Sequence, residues 1–269
     1  MNIKKFYLWA VLAVTATATL TSCEDILGHW ERPGTVTPTP SEAETIPEGA
    51  ICGKFSVADG KQVYFSKGNL QLTAADTWQF AENQWDYFGA SQSDDHRDLF
   101  GWGTGNNPNQ TSTDNIDYSS FTDWGDNTSL QASLGTGWRT LTKDEWVYLF
   151  GTRTVNGGTS EGKSYTLGQK VNEKLGIVIY PDDYTGAAYT TGSDWSTFES
   201  AGCVFLPAAG NRSGTSVYGF GSSGSYWSSS PNGSYADQVY FISSYLDPAY
   251  HPYRYYGFSV RLVRDVAAE

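Results

Sequence analysis

The chain has 269 residues, 29 of them acidic and 17 basic, with a formal charge of −12 at pH 7. An acidic chain with no basic run is a poor partner for nucleic acid, whose binding depends on clustered lysine and arginine. The length bounds the folded part to one domain, or one domain with insertions.

Lys4 and Lys5 open the chain, and Phe6 to Leu20 follow as an apolar stretch without charge, too short for a comfortable membrane span. Leu20-Thr21-Ser22-Cys23 comes next. Residues 1–22 followed by a cysteine resemble the signal peptide and lipobox of bacterial lipoproteins, in which the cysteine thiol is acylated and becomes the mature N-terminus. The resemblance implies lipidation of Cys23 and a chain anchored to the membrane, because several acyl chains supply an attachment that one cannot. The alternative is an ordinary secretory signal with an incidental cysteine. Glu24 and Asp25 resemble the surface-export signal of lipoproteins in Bacteroidetes, which implies an outer-membrane location facing outward. Removing the leader takes two lysines with it, so −12 becomes −14. Residues 23–48 hold Pro33, Pro38, Pro40 and Pro47 among threonine, serine and glutamate, and read as a solvated tether.

The domain proper is expected over 49–266. Ile51 to Val57 and Lys61 to Phe65 alternate and are joined by Ala58-Asp59-Gly60, which predicts a hairpin. Trp78-Gln79-Phe80 and Trp85 continue the strand-like pattern. A short, weak helix is the reading for Thr45 towards Gly49. A better one starts at Thr142, where Thr-x-x-Glu with Glu145 forms a capping box, Trp146, Leu149 and Phe150 share one face, and Gly151 ends the run. Val204-Phe205-Leu206 reads as a core strand with Cys203 buried before it. Cys52 and Cys203 leave one disulfide open as a possibility.

The C-terminal segment 215–256 carries the composition of a recognition surface. Half of the 18 tyrosines lie there, mixed with serine, glycine and single polar residues. Tyrosine gives large contact area for few rotatable bonds and keeps a polar tip. Tyr250-His251-Pro252-Tyr253-Arg254-Tyr255-Tyr256 crowds more aromatics than one buried face holds, so several rings are expected to face solvent. Pro248 and Pro252 argue for loop over central strand. A sheet whose outer face is simply rich in tyrosine is the bland alternative.

Trp138 to Leu149, Cys203 to Arg212, Gly224-Ser225-Tyr226-Trp227-Ser228-Ser229-Ser230 and Gly257-Phe258-Ser259-Val260-Arg261-Leu262-Val263 occur in one order. That ordered set resembles the formylglycine-generating-enzyme variant of the C-type lectin fold, with Thr140-Leu141 where the family has Leu-Pro. The resemblance implies an α+β, C-type-lectin-like domain of short strands and long loops with one or two helices. The tail further resembles the variable target proteins of diversity-generating retroelements in gut bacteria. By that resemblance the exchangeable, ligand-binding positions are Tyr235, Asp237, Tyr240, Tyr245, Asp247, Tyr250, His251, Tyr253, Tyr255 and Tyr256. They are interleaved with frame-like Trp227, Ala236, Phe241, Pro248, Ala249, Arg254, Gly257 and Phe258. Gln238 does not fit the codon rule and falls outside the set. A static member of the same fold is the alternative.

The enzyme of that family uses a C-terminal cysteine pair, and only Cys203 lies in this half, so the activity is not carried over. Asp94-Asp95-His96-Arg97-Asp98 and Asp123-Trp124-Gly125-Asp126-Asn127 read as solvated loops, with calcium the lesser reading. Gly219 to Gly224 reads as a turn, and Arg254 and Arg261 as scaffold. No cofactor or metal is expected. The sequence thus points to non-catalytic recognition of a protein or glycan at the cell surface, with a structural or fimbria-associated subunit, and then an enzyme, as alternatives.

Overall fold

The computed structural model describes residues 45–74, 76–155 and 164–267, all within one unit of the chain. The leader, Cys23 and the tether up to residue 44 lie outside the described residues. Among the described residues, no helix is long and apolar enough to cross a membrane.

The expected hairpin is present as β1 (Ala50–Ala58) and β2 (Lys61–Ser66). Strict alternation in β1 sends Ile51, Phe55 and Val57 inward, as a half-buried strand requires. β3 (Leu70–Ala74) and β4 (Thr77–Phe80) form a second hairpin that includes the predicted Trp78-Gln79-Phe80 run. Trp85 does not extend it. Asn83 and Asp86 close a turn there, through the Asn83 N–H on the Asp86 carboxylate (3.1 Å) and the Asp86 N–H on the Asn83 carbonyl (3.1 Å). The weak helix at Thr45–Gly49 is also absent. Its place is taken by a turn in which the Ala50 N–H donates to the Pro47 carbonyl at 3.0 Å, and Pro47 has no N–H for a helical ladder.

Three short α-helices are found among the described residues. α1 (Thr128–Leu134) is capped by Asn127, whose side chain accepts the Leu130 N–H. α2 (Lys143–Val147) carries the predicted capping box: Thr142 Oγ1 accepts the Glu145 N–H at 3.2 Å and Glu145 Oε2 accepts the Thr142 N–H at 2.8 Å. A π-turn, Tyr148–Thr152, extends it and buries Leu149 and Phe150. β5 (Tyr165–Val171), β6 (Lys174–Ile179), α3 (Trp195–Ser200) and β7 (Val204–Pro207) come next, the three strands forming an antiparallel sheet. That sheet is covered on both faces. Ile177, Ile179, Val204 and Leu206 enter one core with α2 and the first hairpin, while Val178, Cys203 and Phe205 enter another with Tyr180, Trp195 and Phe198. Both registers are apolar for that reason.

β8 (Asn211–Ser213) and β9 (Ser216–Tyr218) form a small ribbon. The tail then forms an antiparallel sheet of β10 (Ser223–Asn232), β11 (Tyr235–Ile242) and β12 (Tyr245–Tyr250). β13 (Val263–Asp265) pairs with β2, so the C-terminal end closes the first hairpin into a three-stranded sheet. All named strand pairs are antiparallel and the helices are few and short, an α+β composition in the loose sense. The second large core, built on Trp102, Trp124, Trp138, Trp227 and Phe258, lies between the β3–β4 hairpin and the chain around Val260 and Leu262.

Candidate functional site

The β10–β11–β12 sheet positions the site. Gly233 and Ser234 make a two-residue turn between the paired Asn232 and Tyr235, with Gly233 at φ +57°, a conformation glycine adopts without strain. β10 bulges between Trp227 and Pro231, and the Ser228 hydroxyl fills the gap by donating to the Asp237 carbonyl at 2.7 Å. β12 carries one residue more than β11 between the pairs Gln238–Tyr250 and Tyr240–Asp247. Pro248 sits in that irregularity. It lies in strand, where loop was expected, and an outer strand tolerates it because a missing N–H there breaks no central ladder.

Above this sheet lies a groove of about 560 Å³. One wall consists of Tyr240, Tyr245, Tyr250 and His251, with the Tyr240 ring centroid 5.5 Å from that of Tyr250 and 6.4 Å from that of Tyr245. The opposite wall begins with Tyr235 and Tyr253, 4.9 Å apart, and continues through Tyr256 to Phe258 at 6.0 Å. Gln238 and Ser225, both almost fully buried, lie at the base. Tyr245, Tyr250 and Tyr253 remain 50%, 47% and 43% exposed, so the expectation of solvent-facing rings holds for them. Aspartate, glutamate, lysine and arginine are missing from the lining, and His251 is its one ionisable group other than phenols.

Seven of the ten residues expected to bind ligand therefore meet in one groove. The other three stand elsewhere. Asp247, paired with Tyr240 in the register and so on the same face of the sheet, stands beside the wall without entering the lining; it accepts the Tyr245 hydroxyl at 3.3 Å and the Ala249 N–H at 2.9 Å, and its charge pushes the Tyr245 phenol up. Tyr255 stacks on Tyr253 at 5.5 Å, and its contact with the Tyr256 hydroxyl, together with burial, raises its pKa to about 12. Asp237 is only 4% exposed and accepts from Asn232 at 3.0 Å. Strand alternation turns it to the opposite face from Gln238 and Tyr240, so it does not enter the groove. Tyr226, part of the tyrosine-rich run, is core: its hydroxyl donates to the Pro207 carbonyl at 2.8 Å and accepts from Asn69 at 3.1 Å.

Buried arginines hold the groove in place. Arg254 donates through Nε to the Tyr235 carbonyl (2.9 Å) and through Nη2 to the Gly233 carbonyl (2.7 Å), while its guanidinium lies 4.3 Å over the Trp102 ring. Arg212, fully buried, donates to the carbonyls of Leu99, Gly214 and Gln110. Gly257 lies against it so closely that a Cβ would stand 2.7 Å from Arg212 Nε, which explains a glycine there. Arg261 donates to Gln84 Oε1 at 2.9 Å beneath the sheet. Burial lowers the pKa of Arg212 and of Arg261 to about 10. Scaffold duty for Arg254 and Arg261 is as expected.

The two acidic segments are solvated only in part: Asp94, Asp95 and Asp126 are exposed, as expected, while Asp98 is buried and Asp123 half-buried. Asp98 is 1% exposed and accepts the Phe88 N–H (2.7 Å) and the Gln92 amide (2.6 Å), and burial raises its pKa to about 6 against those hydrogen bonds. Asp123 caps the 3₁₀ turn Trp124–Asp126 and holds the Thr140 N–H and hydroxyl, each at 2.9 Å. Of the expected turn Gly219 to Gly224, Gly219 to Ser222 turn into β10, which takes up Ser223 and Gly224. Cys203 is fully buried, and burial pushes its thiol up, away from the reactive thiolate. Cys52 and Cys203 are both in the thiol form.

Compared with known proteins, the chain matches no family model, no curated protein and no solved structure.

Proposed function

We propose that this is a non-catalytic recognition protein, lipid-anchored through Cys23 at the outer membrane and exposed on the cell surface. In this reading, a C-type-lectin-like domain binds a protein or glycan in the tyrosine-lined groove. The observation that carries the reading is the convergence of Tyr235, Tyr240, Tyr245, Tyr250, His251, Tyr253 and Tyr256 on one open groove. Exposed aromatic clusters of this kind supply contact area at low entropic cost. The same reading takes the tail as a segment rewritten by a retroelement. A near-copy of the DNA encoding Ser230 to Arg264 beside the gene, differing only at adenines, is its genetic test.

The binding test uses the purified full chain against immobilised panels of cell-surface proteins and oligosaccharides, with the variant Y245A/Y250A/Y253A beside it. The expected result is a specific ligand for the parent chain, lost in the variant, with both melting cooperatively. A variant that binds like the parent refutes the groove as the site. A variant that loses its cooperative melt shows that the three rings are core.

A further inference from the structure

We infer that the groove takes a neutral saccharide residue and that Gln238, outside the set of ten, is the residue that fixes its orientation. This rests on the groove being the binding site. Gln238 stands in β11 between Ala236 and Tyr240 on the groove side, with Trp227 opposite in β10 and Tyr250 opposite in β12. Its side chain is 2% exposed and contributes to the base of the groove. Its Oε1 is buried and meets no hydrogen-bond donor among the described residues.

A buried amide oxygen without a donor is costly, and native structures rarely keep one without a use. An apolar side chain of the same length would fill the space without that cost. The group that relieves Oε1 must be a donor, an O–H or N–H carried by whatever enters. The walls set the second requirement. Tyr240, Tyr250, Tyr235 and Tyr253 present ring faces and edges, which suit a saturated ring with a C–H face. The third requirement is charge. The lining itself carries no carboxylate, ammonium or guanidinium, the Asp247 carboxylate stands beside it on the Tyr245 hydroxyl, and the whole chain is strongly acidic, so a neutral ligand is favoured over an anionic one. A pyranose meets all three, with a C–H face for a tyrosine and a ring of hydroxyls from which one reaches Gln238. The groove volume of about 560 Å³ lies within the range of small-ligand sites. Oε1 is shut from solvent in this structure, so a neighbouring side chain must move before the sugar reaches it. Tyr250, opposite Gln238 in the register and half exposed, is placed to swing aside, a motion open to exposed side chains on fast timescales.

The test is an array of neutral hexose and N-acetylhexosamine oligosaccharides with sialylated and sulfated controls, probed with the full chain, followed by titration of the best neutral binder. Gln238→Met is the deciding variant. It keeps length and volume and removes the acceptor. Binding is expected to fall roughly 10- to 100-fold, while the melting temperature stays level or rises, because an unpartnered buried oxygen has gone. A structural role for Gln238 predicts the reverse pattern, a lower melting temperature with binding unchanged. Unaltered affinity in Gln238→Met, or preference for the acidic controls, overturns the inference. If the chain ignores every saccharide but holds a protein ligand that Y245A/Y250A/Y253A loses, the inference fails and the recognition reading stands. If neither panel yields a ligand, both fail.

Discussion

Arg254→Lys isolates the anchoring of the groove. Arg254 is 8% exposed and directs its guanidinium to four backbone carbonyls: Tyr235 at 2.9 Å, Gly233 at 2.7 Å, and Tyr118 and Ser119 at 3.3 and 3.2 Å. Lysine keeps the charge but lacks the planar fork, so it satisfies at most the Gly233 side or the Tyr118 side. Each bond from a charged donor contributes about 1.5–3 kcal/mol. The two shared longer bonds count for less, and the loss of one strong bond plus the Trp102 stack gives a cost of roughly 2–3 kcal/mol. For a domain of this size that corresponds to a fall in Tm of about 4–12 °C. Thermal and urea melts followed by circular dichroism measure it, and ligand binding should weaken with it because Tyr235 and its partner Tyr253 lose their support. A variant within about 0.5 kcal/mol of the parent refutes the view that this arginine holds the turn.

Stability should peak near roughly pH 4–5. Asp98, raised to about 6, contributes stability that is fully present below its unfolded pKa and is lost as pH rises through 6. Glu145 is opposed by burial but held at about 2 by Arg139, Lys61 and the Thr142 N–H, and its contribution is lost as pH falls from its unfolded pKa through 2. Urea midpoints across pH 3–8 test this, and a midpoint that climbs from pH 4.5 to 7 contradicts it. Thr142→Ala removes the capping-box acceptor and should cost about 1 kcal/mol in urea unfolding, with Thr142→Ser restoring most of it; an unchanged midpoint sinks the assignment. Gly224→Ala would set a Cβ on the buried ring of Phe241, and should cost roughly 1–3 kcal/mol by the same assay. A neutral result there means that β10 shifts freely on the core.

Local chemistry was legible in the sequence wherever one segment carried the whole signal. The Asp-Gly turn, the Thr142–Glu145 box and the crowded tyrosines each depend on neighbours in the chain, and each is found in the fold. α1 and α3 were not legible because each is barely two turns long and rests on a single cap, Asn127 or Asp194, with its apolar residues too few to show a period. Asp98 read as part of a solvated loop and Asp237 as a binding position by the tail's resemblance, yet their partners fix them inside: Phe88 and Gln92 for one, Asn232 for the other. Gln238 was set aside on its codon class. A period-two reading of Ala236-Gln238-Tyr240 against Asp237-Val239-Phe241 carried the missing signal, since it puts Gln238 with the tyrosine and Asp237 with the core.

The anchoring chemistry has a consequence for how freely the groove can change. Arg254 and Arg212 bind carbonyl oxygens, and each residue in a chain supplies one whatever its side chain. Replacing the Tyr235 ring therefore leaves the acceptor for Arg254 Nε in place. The cores beneath are filled by Trp227, Val239, Phe241, Phe258 and Val260, which are at most 3% exposed, whereas Tyr245, Tyr250 and Tyr253 already leave 50%, 47% and 43% of their surface to solvent. Removing such a ring forfeits only the buried part of its apolar area, a small loss beside a core deletion of roughly 3–5 kcal/mol for a fully buried aromatic. A fold that fixes its backbone through carbonyls and draws its apolar burial from residues other than the exposed rings separates stability from the identity of those rings. That separation is what a surface for recognising more than one partner requires, and it follows from the direction in which each arginine points.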